Sequence, residues 1–495
     1  MMKVKKMRCG IRLLSCMLLL SVLLTGCGII TFPDRDHSDT TTTASPSDSA
    51  DVTTKVPDTT DAPTPTYDPD AGYNTAKKQL GTLRTQDFEG SSVFILELTT
   101  HSNYVPDSDS VSTEMDAASL RRNRLVEEKY NVHIFQRVAQ SRDDMFTLLE
   151  SSVNSGEYLA DLVAAPAGDL GILKNKEVLY NLNSLPFTDY SASYFNQEAM
   201  EQASGGNVTY GASGSLTDNV SNAYVCFFNK DLIPADTDSP YTLWQNGKWT
   251  WEALLSYEKA AEGEISLLAA EQDEVGLTNT LFLSTGAHYL TAGVGKTPTL
   301  TYANDANNAL MDGLRSLTLG KTQVSQTENE SLVSFAAGRA VFYIGSLSTA
   351  RRPRSMPENW GLLPLPSHSE SAEVCNVYNE YATVICVPKE GIDVACTGMV
   401  LQAMFAASDS LMKQSYRTQY KNRYLEDGTA IAVLDAILSA KFCGDFAEYF
   451  GSDYPSLVSA GRNYLWSAVL NGKTLKEGYN GYEERVVNSM TRWFS

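Results

Sequence analysis

Residues 92–98, SVFILEL, open the stretch that decides the fold. The run is rich in β-branched and aromatic residues and reads as a strand. Thr113-Glu-Met-Asp116 follows and loosely resembles a capping box, ahead of a helix through Leu120, Leu125, Val126 and Tyr130. Residues 132–138, VHIFQRV, read as the next strand. Ser141 can cap a second helix that carries Asp143 and Asp144 in its first turn, where the helix dipole favours anions, and stops near Gly156. Residues 161–165, DLVAA, are the third strand. Strand–helix–strand–helix–strand predicts an α/β domain: a parallel sheet with helices on both faces. Such sheets bind ligands at the carboxyl ends of their strands, here Thr99–Pro106 and Ala165–Asp169.

Outward from this block, the N-terminus is basic, with Lys3, Lys5, Lys6, Arg8 and Arg12 and no acid before an apolar run at Leu13–Leu24. About twelve residues is too short for a bilayer-spanning helix and fits a signal-peptide core. The run ends Leu24-Thr25-Gly26-Cys27, which resembles the bacterial lipobox, whose cysteine receives lipid before cleavage. The resemblance implies a signal peptide at 1–26, lipidation of Cys27, and residence at the cell membrane on its extracytoplasmic face. Residues 31–70 hold 30 Ser, Thr, Pro or Asp out of 40, too little apolar surface to fold. The whole of 27–86 therefore reads as a disordered spacer, and a flexible coil of about 48 residues within it spans roughly 35–40 Å.

The chain has 39 Lys+Arg against 59 Asp+Glu, and losing the five leader cations leaves 34 against 59, a balance of −25. That excludes a polyanion partner such as nucleic acid, which rewards cations that neutralise phosphates. After Cys27, five of the eight cysteines remain: Cys226, Cys375, Cys386, Cys396 and Cys443. An odd number at irregular spacing reads as buried free thiols, with a Cys375–Cys386 bridge as the minor alternative. No later apolar run approaches 18 residues.

The folded part, from Asp87 to Ser495, is too long for one core, so two domains are expected. Its middle shows helix signals: Thr250 can cap a helix over Trp251–Glu262, with Gly263 as its stop. Strand-like runs return at Arg339–Ile344 and Tyr381–Pro388, before a mainly helical tail.

Five segments carry a family resemblance. They are Gly206-Asn-Val-Thr-Tyr-Gly211, Tyr224-Val-Cys-Phe-Phe-Asn-Lys-Asp-Leu232, Trp249-Thr-Trp-Glu-Ala-Leu254, Phe335-Ala-Ala-Gly-Arg-Ala-Val-Phe342 and Trp360-Gly-Leu-Leu-Pro-Leu-Pro366. In that order they resemble the extracellular solute-binding proteins of family 1, although Ala212 stands where the family has proline. The resemblance implies a two-lobed periplasmic-binding-protein (Venus-flytrap) fold with discontinuous lobes: 88–225 plus 336–382, and 230–332 plus 388–495. Crossings are implied near Tyr224–Lys230, Ser334–Val341 and Tyr381–Pro388. It also implies a monomeric binding protein, without cofactor or metal, that captures a small solute, a carbohydrate or oligosaccharide, and passes it to an ABC permease.

Sugars are held by aromatic faces and by planar polar groups. Position in the expected fold selects the candidates His101, Asn103 and Tyr104 after the first strand, and Ser213, Asp218 and Asn219 before the first crossing. It also selects Gly345 and Ser346 after a returning strand, Tyr378, Asn379, Glu380 and Tyr381 before the third crossing, and Trp466 in the tail. Trp249 and Trp251 read as packing residues, and Arg351-Arg352-Pro-Arg354 as a solvated face or a docking patch. A glycan-active hydrolase is the rival class, but Gly211-Ala-Ser-Gly-Ser215 does not satisfy Gly-x-Ser-x-Gly and no His-Glu-x-x-His occurs. A surface sensor or adhesin that keeps the fold without transport is the other alternative. An iron binder that uses tyrosine ligands is a variant of the main reading.

Overall fold

A computed structural model describes residues 70–477 and residue 486, apart from 99–103, 110, 218, 292–298, 320–321, 325–327, 352–355, 379–380, 424–427, 444, 446–448 and 451–454. The leader, Cys27 and the spacer up to residue 69 lie outside the described residues. The spacer expectation ends too late, because Ala71–Thr82 is a helix, α1. Its sequence is polar, but Ala76 and Leu80 are buried. Its start is held from far along the chain, where Ser410 Oγ donates to the Gly72 carbonyl at 2.8 Å.

The first sheet follows the predicted pattern. Strand β1 is Ser91–Leu98, helix α2 Glu114–Tyr130, strand β2 Val132–Ala139, helix α3 Arg142–Ser155 and strand β3 Leu162–Pro166. The capping box forms, with the Asp116 amide donating to Thr113 Oγ1 at 3.0 Å and the Thr113 amide donating back to Asp116 Oδ2 at 3.1 Å. Ser141 caps α3, and Gly156 ends it in the left-handed region at φ 70°. β1 pairs in parallel with β2 and β3. Beyond β3 the chain forms the short helix α4, Gln197–Gln202, and a tight hairpin that turns at Gly206 with φ 59°.

The second sheet is built from β4 (Tyr224–Asn229), β5 (Ser266–Ala270), β6 (Thr322–Val324), β7 (Ala340–Ser346) and β8 (Trp360–Leu363). Its order is β6-β5-β7-β4-β8, with β5, β6 and β7 parallel and β4 antiparallel to β7 and β8. Thr250 caps α5 as expected, but that helix runs only from Trp251 to Leu255 before tightening into a 3₁₀ turn. Trp249 and Trp251 are each 4% exposed, which makes them packing residues. Helix α6, Glu274–Ser284, follows β5, and helices α7, Met311–Thr318, and α8, Glu328–Ala336, precede β7.

Strand β9, Thr383–Cys386, then returns to the first sheet, whose full order is β9-β3-β1-β2. Helix α9, Val394–Arg423, carries residues of two cores. Met399, Met404 and Phe405 lie with Val93 and Ile95, whereas Tyr416 and Tyr420 lie with Val225 and Phe227. It is long and apolar enough to cross a bilayer, but its most apolar window is 78% buried inside the fold. Helix α10, Gly428–Ser439, completes the second lobe's flank beside β8.

The strand assignments correct the expected segmentation. Residues 336–382 were grouped with 88–225, yet β7 and β8 hydrogen-bond to β4 in the second sheet. Residues 388–495 were grouped with 230–332, yet the first half of α9 packs in the core of the first sheet. Tyr224–Lys230 and Ser334–Val341 lead into or form the second sheet and do not cross between sheets. Strand periodicity identifies which face of a strand is buried, but not which sheet contains it.

The cysteine reading also changes. Cys375 and Cys443 form a disulfide across 68 residues, and only Cys226, Cys386 and Cys396 are free among the described residues. The Cys375–Cys386 alternative fails because Cys375 pairs with Cys443 and Cys386 remains a free, buried thiol in β9.

Candidate functional site

The two sheets are joined by segments that run side by side. Tyr224 donates its amide to the Val377 carbonyl at 2.9 Å, and Asn222 Nδ2 donates to the Tyr381 carbonyl at 3.2 Å. Asn219 makes a two-pronged contact: its Oδ1 accepts from the Thr383 amide at 2.8 Å, and its Nδ2 donates to the Thr383 carbonyl at 2.9 Å. One amide side chain thus substitutes for a strand neighbour at the start of β9. Tyr104 Oη lies 2.9 Å from Thr383 Oγ1, so the loop after β1 is tied to the same crossing.

Tyr104 is held from behind by a buried polar network. Its amide donates to Glu97 Oε2 at 3.1 Å, and its carbonyl accepts from Asn123 Nδ2 at 3.0 Å and from the Arg122 guanidinium. Gln136 Nε2 donates to the other Glu97 oxygen. Glu97 is 1% exposed, and burial pushes its carboxyl up to about 7, against the hydrogen bonds from Tyr104 and Gln136 and the charge of Arg122. The Arg142 guanidinium grips Asp169, its Nε 2.7 Å from Oδ2. The Asp169 carboxylate is fully buried, while half of the Arg142 side chain remains open to solvent. Tyr104, Arg142 and Asp169 follow the carboxyl ends of β1, β2 and β3, where the strand topology predicts a ligand.

The second sheet presents a matching set at the ends of β5 and β7. Glu271 Oε2 accepts from the Ser346 amide at 2.6 Å, and Ser346 Oγ lies 2.9 Å from Ser348 Oγ. Gly345 is required there: a Cβ would lie 2.4 Å from the Tyr343 ring and 2.9 Å from Glu271 Oε2. Near the second crossing, Tyr378 stacks on Phe442 with ring centroids 4.2 Å apart and planes at 11°.

The sequence-predicted residues divide into three groups. Tyr104, Asn219, Tyr378 and Tyr381 come together along the crossings, with only Tyr381 widely exposed, at 52%. Gly345 and Ser346 close β7 beside Glu271, and both are buried. Ser213 is 2% exposed, its carbonyl bonded to the Asn196 amide, and it belongs to the packing ahead of α4. Trp466 is half-buried against an apolar cluster that draws on residues of both sheets. His101, Asn103, Asp218, Asn379 and Glu380 lie outside the described residues, as do Arg352 and Arg354. Sequence reasoning missed Arg142–Asp169, Glu97 and Glu271. The first could have been found from Asp169 at a predicted strand end and Arg142 at a predicted helix start.

A separate cavity of about 320 Å³ is lined by Tyr224, Trp244, Trp249, Ser367 and Asn376 beside Cys375. It lies in the second lobe and includes none of the sequence-predicted ligand residues. Among the described residues, no three His, Cys, Asp or Glu side chains gather as a metal site.

Solved structures share this fold. The sugar-binding protein MalE of Xanthomonas citri aligns over 81% of this chain and 98% of its own, at 11% identity and a TM-score of 0.54. A cyclo/maltodextrin-binding protein complexed with maltotetraose aligns over 83% and 98%, at 14% identity and 0.53. The GacH receptor of Streptomyces glaucescens, solved unliganded and with acarbose, aligns over 81% and 99%, at 13% identity and 0.50. The chain has the two-lobed periplasmic-binding-protein fold. No protein-family model matches the sequence, and no curated protein matches it. Within the binding-protein fold, the departure at Ala212 has a local reason. Its amide donates to the Ile385 carbonyl at 2.8 Å, a bond that proline would forfeit.

Proposed function

We propose that this chain is an extracytoplasmic solute-binding protein, anchored through lipid on Cys27, that captures a carbohydrate between its lobes and delivers it to an ABC permease. The observation that carries this reading is the pair of adjoining crossings, Asn219–Tyr224 against Val377–Thr383, with polar groups at the strand ends of both sheets. Such a joint lets two rigid lobes rotate about a few backbone positions. A cleft that closes removes most of a small ligand from water, and a ligand favours closure only by its extra affinity for the closed form. Sugar is favoured because the three similar structures are described with sugars or acarbose, or as sugar-binding. Arg142, Glu271 and the exposed Tyr381 supply the planar charged groups and the aromatic face that a polyhydroxylated ring requires. The proposed chemistry is non-covalent: recognition and release, with no bond made or broken.

A melting screen tests the solute class. A ligand at about 100 times its dissociation constant stabilises the folded chain by roughly 2.7 kcal/mol. Malto-oligosaccharides are expected to raise the Tm in a saturable way. A ferric chelate that raised it, with every oligosaccharide inert, would overturn the carbohydrate assignment and favour the tyrosine-ligand alternative.

A further inference from the structure

We propose that Glu198, His288 and Asp445 form an electrostatic lock between the lobes, one that favours the closed arrangement when His288 carries a proton. The inference concerns the regulation of the proposed solute site and rests on that reading only in taking closure as the capturing state.

Glu198 belongs to the first lobe. It sits on α4, whose Met200 is buried with Ile95 and Ile385, and the chain after α4 bonds to β9 through Ala212. His288 and Asp445 belong to the second lobe. His288 follows α6, and the carboxylate of Asp445 accepts the amides of Tyr289 at 2.5 Å and Leu290 at 3.2 Å. The imidazole lies between the two carboxylates, with Nε2 3.5 Å from Glu198 Oε1 and Nδ1 3.9 Å from Asp445 Oδ2. The three side chains are 16%, 32% and 0% exposed, so water screens this cluster less than it does a surface pair. An independent contact marks the same junction: the Tyr210 ring of the first lobe meets the Phe450 ring of the second edge-on at 6.4 Å.

Among the described residues, the charges facing this cluster stand on both sides of the junction. Glu198 and Glu201 stand on α4, while Asp445 and Lys441 stand on the segment after α10, where Lys441 also pairs with Glu373 at 3.0 Å. With a neutral imidazole, the carboxylates of Glu198, Glu201 and Asp445 outnumber the ammonium of Lys441 among the described residues, which disfavours closure. An imidazolium placed between Glu198 and Asp445 reverses the nearest part of that balance. The arrangement that brings the imidazolium closer to both carboxylates binds the proton more tightly, so acid favours closure. The effect fades as rising pH strips the proton from the imidazole. Burial, reinforced by Glu201 and opposed by Lys441, raises the Glu198 carboxyl above its usual range. More strongly acid solution therefore protonates Glu198 and weakens the lock again.

The test is a distance measurement on the full chain without added solute. Spin labels at Lys78→Cys on α1 and Glu258→Cys after α5 report the separation of the lobes, and the free native thiols described are buried. Lowering the pH from 8 to 6 is expected to raise the ratio of closed to open chains roughly three- to fivefold. His288→Gln and Glu198→Gln are each expected to abolish that response, and Glu198→Gln serves alone if the histidine variant melts early. A pH response that survives in Glu198→Gln, or a wild-type chain without one, overturns the lock. No ligand enters the experiment, so its failure leaves solute capture standing, and failure of every sugar leaves the lock testable.

Discussion

Loss of the Cys375–Cys443 disulfide is expected to lower the stability of the folded chain by about 4 kcal/mol. The figure follows from the entropy of closing a loop with 68 residues of sequence separation. The loop contents give the bond its importance. Between the two cysteines the chain leaves the second lobe, contributes β9 and the first half of α9 to the first lobe, and returns through α10. The disulfide therefore ties together the outgoing and returning ends of an excursion that crosses the hinge twice. Around it, the Asn376 amide donates to the Lys441 carbonyl at 2.7 Å, and the Cys443 amide donates to the Asn376 carbonyl at 3.0 Å. Those bonds hold the same ends together in the folded state, so the cross-link acts mainly on the unfolded chain. Urea denaturation of a Cys375→Ser/Cys443→Ser double variant, compared with the oxidised chain, measures the effect. Superimposable transitions would mean that the bond contributes nothing.

Release from the membrane on changing Cys27 to Ser is the second large effect expected. One acyl chain binds membranes only marginally, so firm anchoring needs more than one chain, as a diacylglycerol on Cys27 supplies. The change removes the thiol proposed to receive the lipid, and the net acidity of the chain, −20, leaves no electrostatic alternative at an anionic surface. Fractionated cells are expected to move the protein from membrane to soluble pools, with solute binding unaltered. Membrane association that persists in Cys27→Ser would remove the lipid anchor from the account.

What was legible in the sequence was local. The capping box at Thr113 and Asp116, the cap at Ser141 and the stop at Gly156 lie within a few residues of the helices they bound, and all three form. What was not legible was long-range. α1 is polar, and its order comes from residues more than 300 positions away, such as Ser410. β7 reads as a strand from its own residues, but its place beside β4 and β5 depends on partners that periodicity does not name. The candidate site followed the same rule. Tyr104 was selected from its position after a predicted strand and Asn219 from its position before the first crossing, whereas the network that fixes them, Glu97, Arg122, Gln136 and Thr383, is assembled from four separate elements. The disulfide and the Glu198–His288 contact each join residues dozens of positions apart, without any spacing motif.

Small-angle X-ray scattering of the full chain at pH 8, with and without a saturating malto-oligosaccharide shown to bind by its melting shift, tests capture between two lobes most directly. Closure around the sugar predicts a smaller radius of gyration that titrates with the same midpoint as binding. A bound sugar that leaves the scattering curve unchanged would contradict capture by closure.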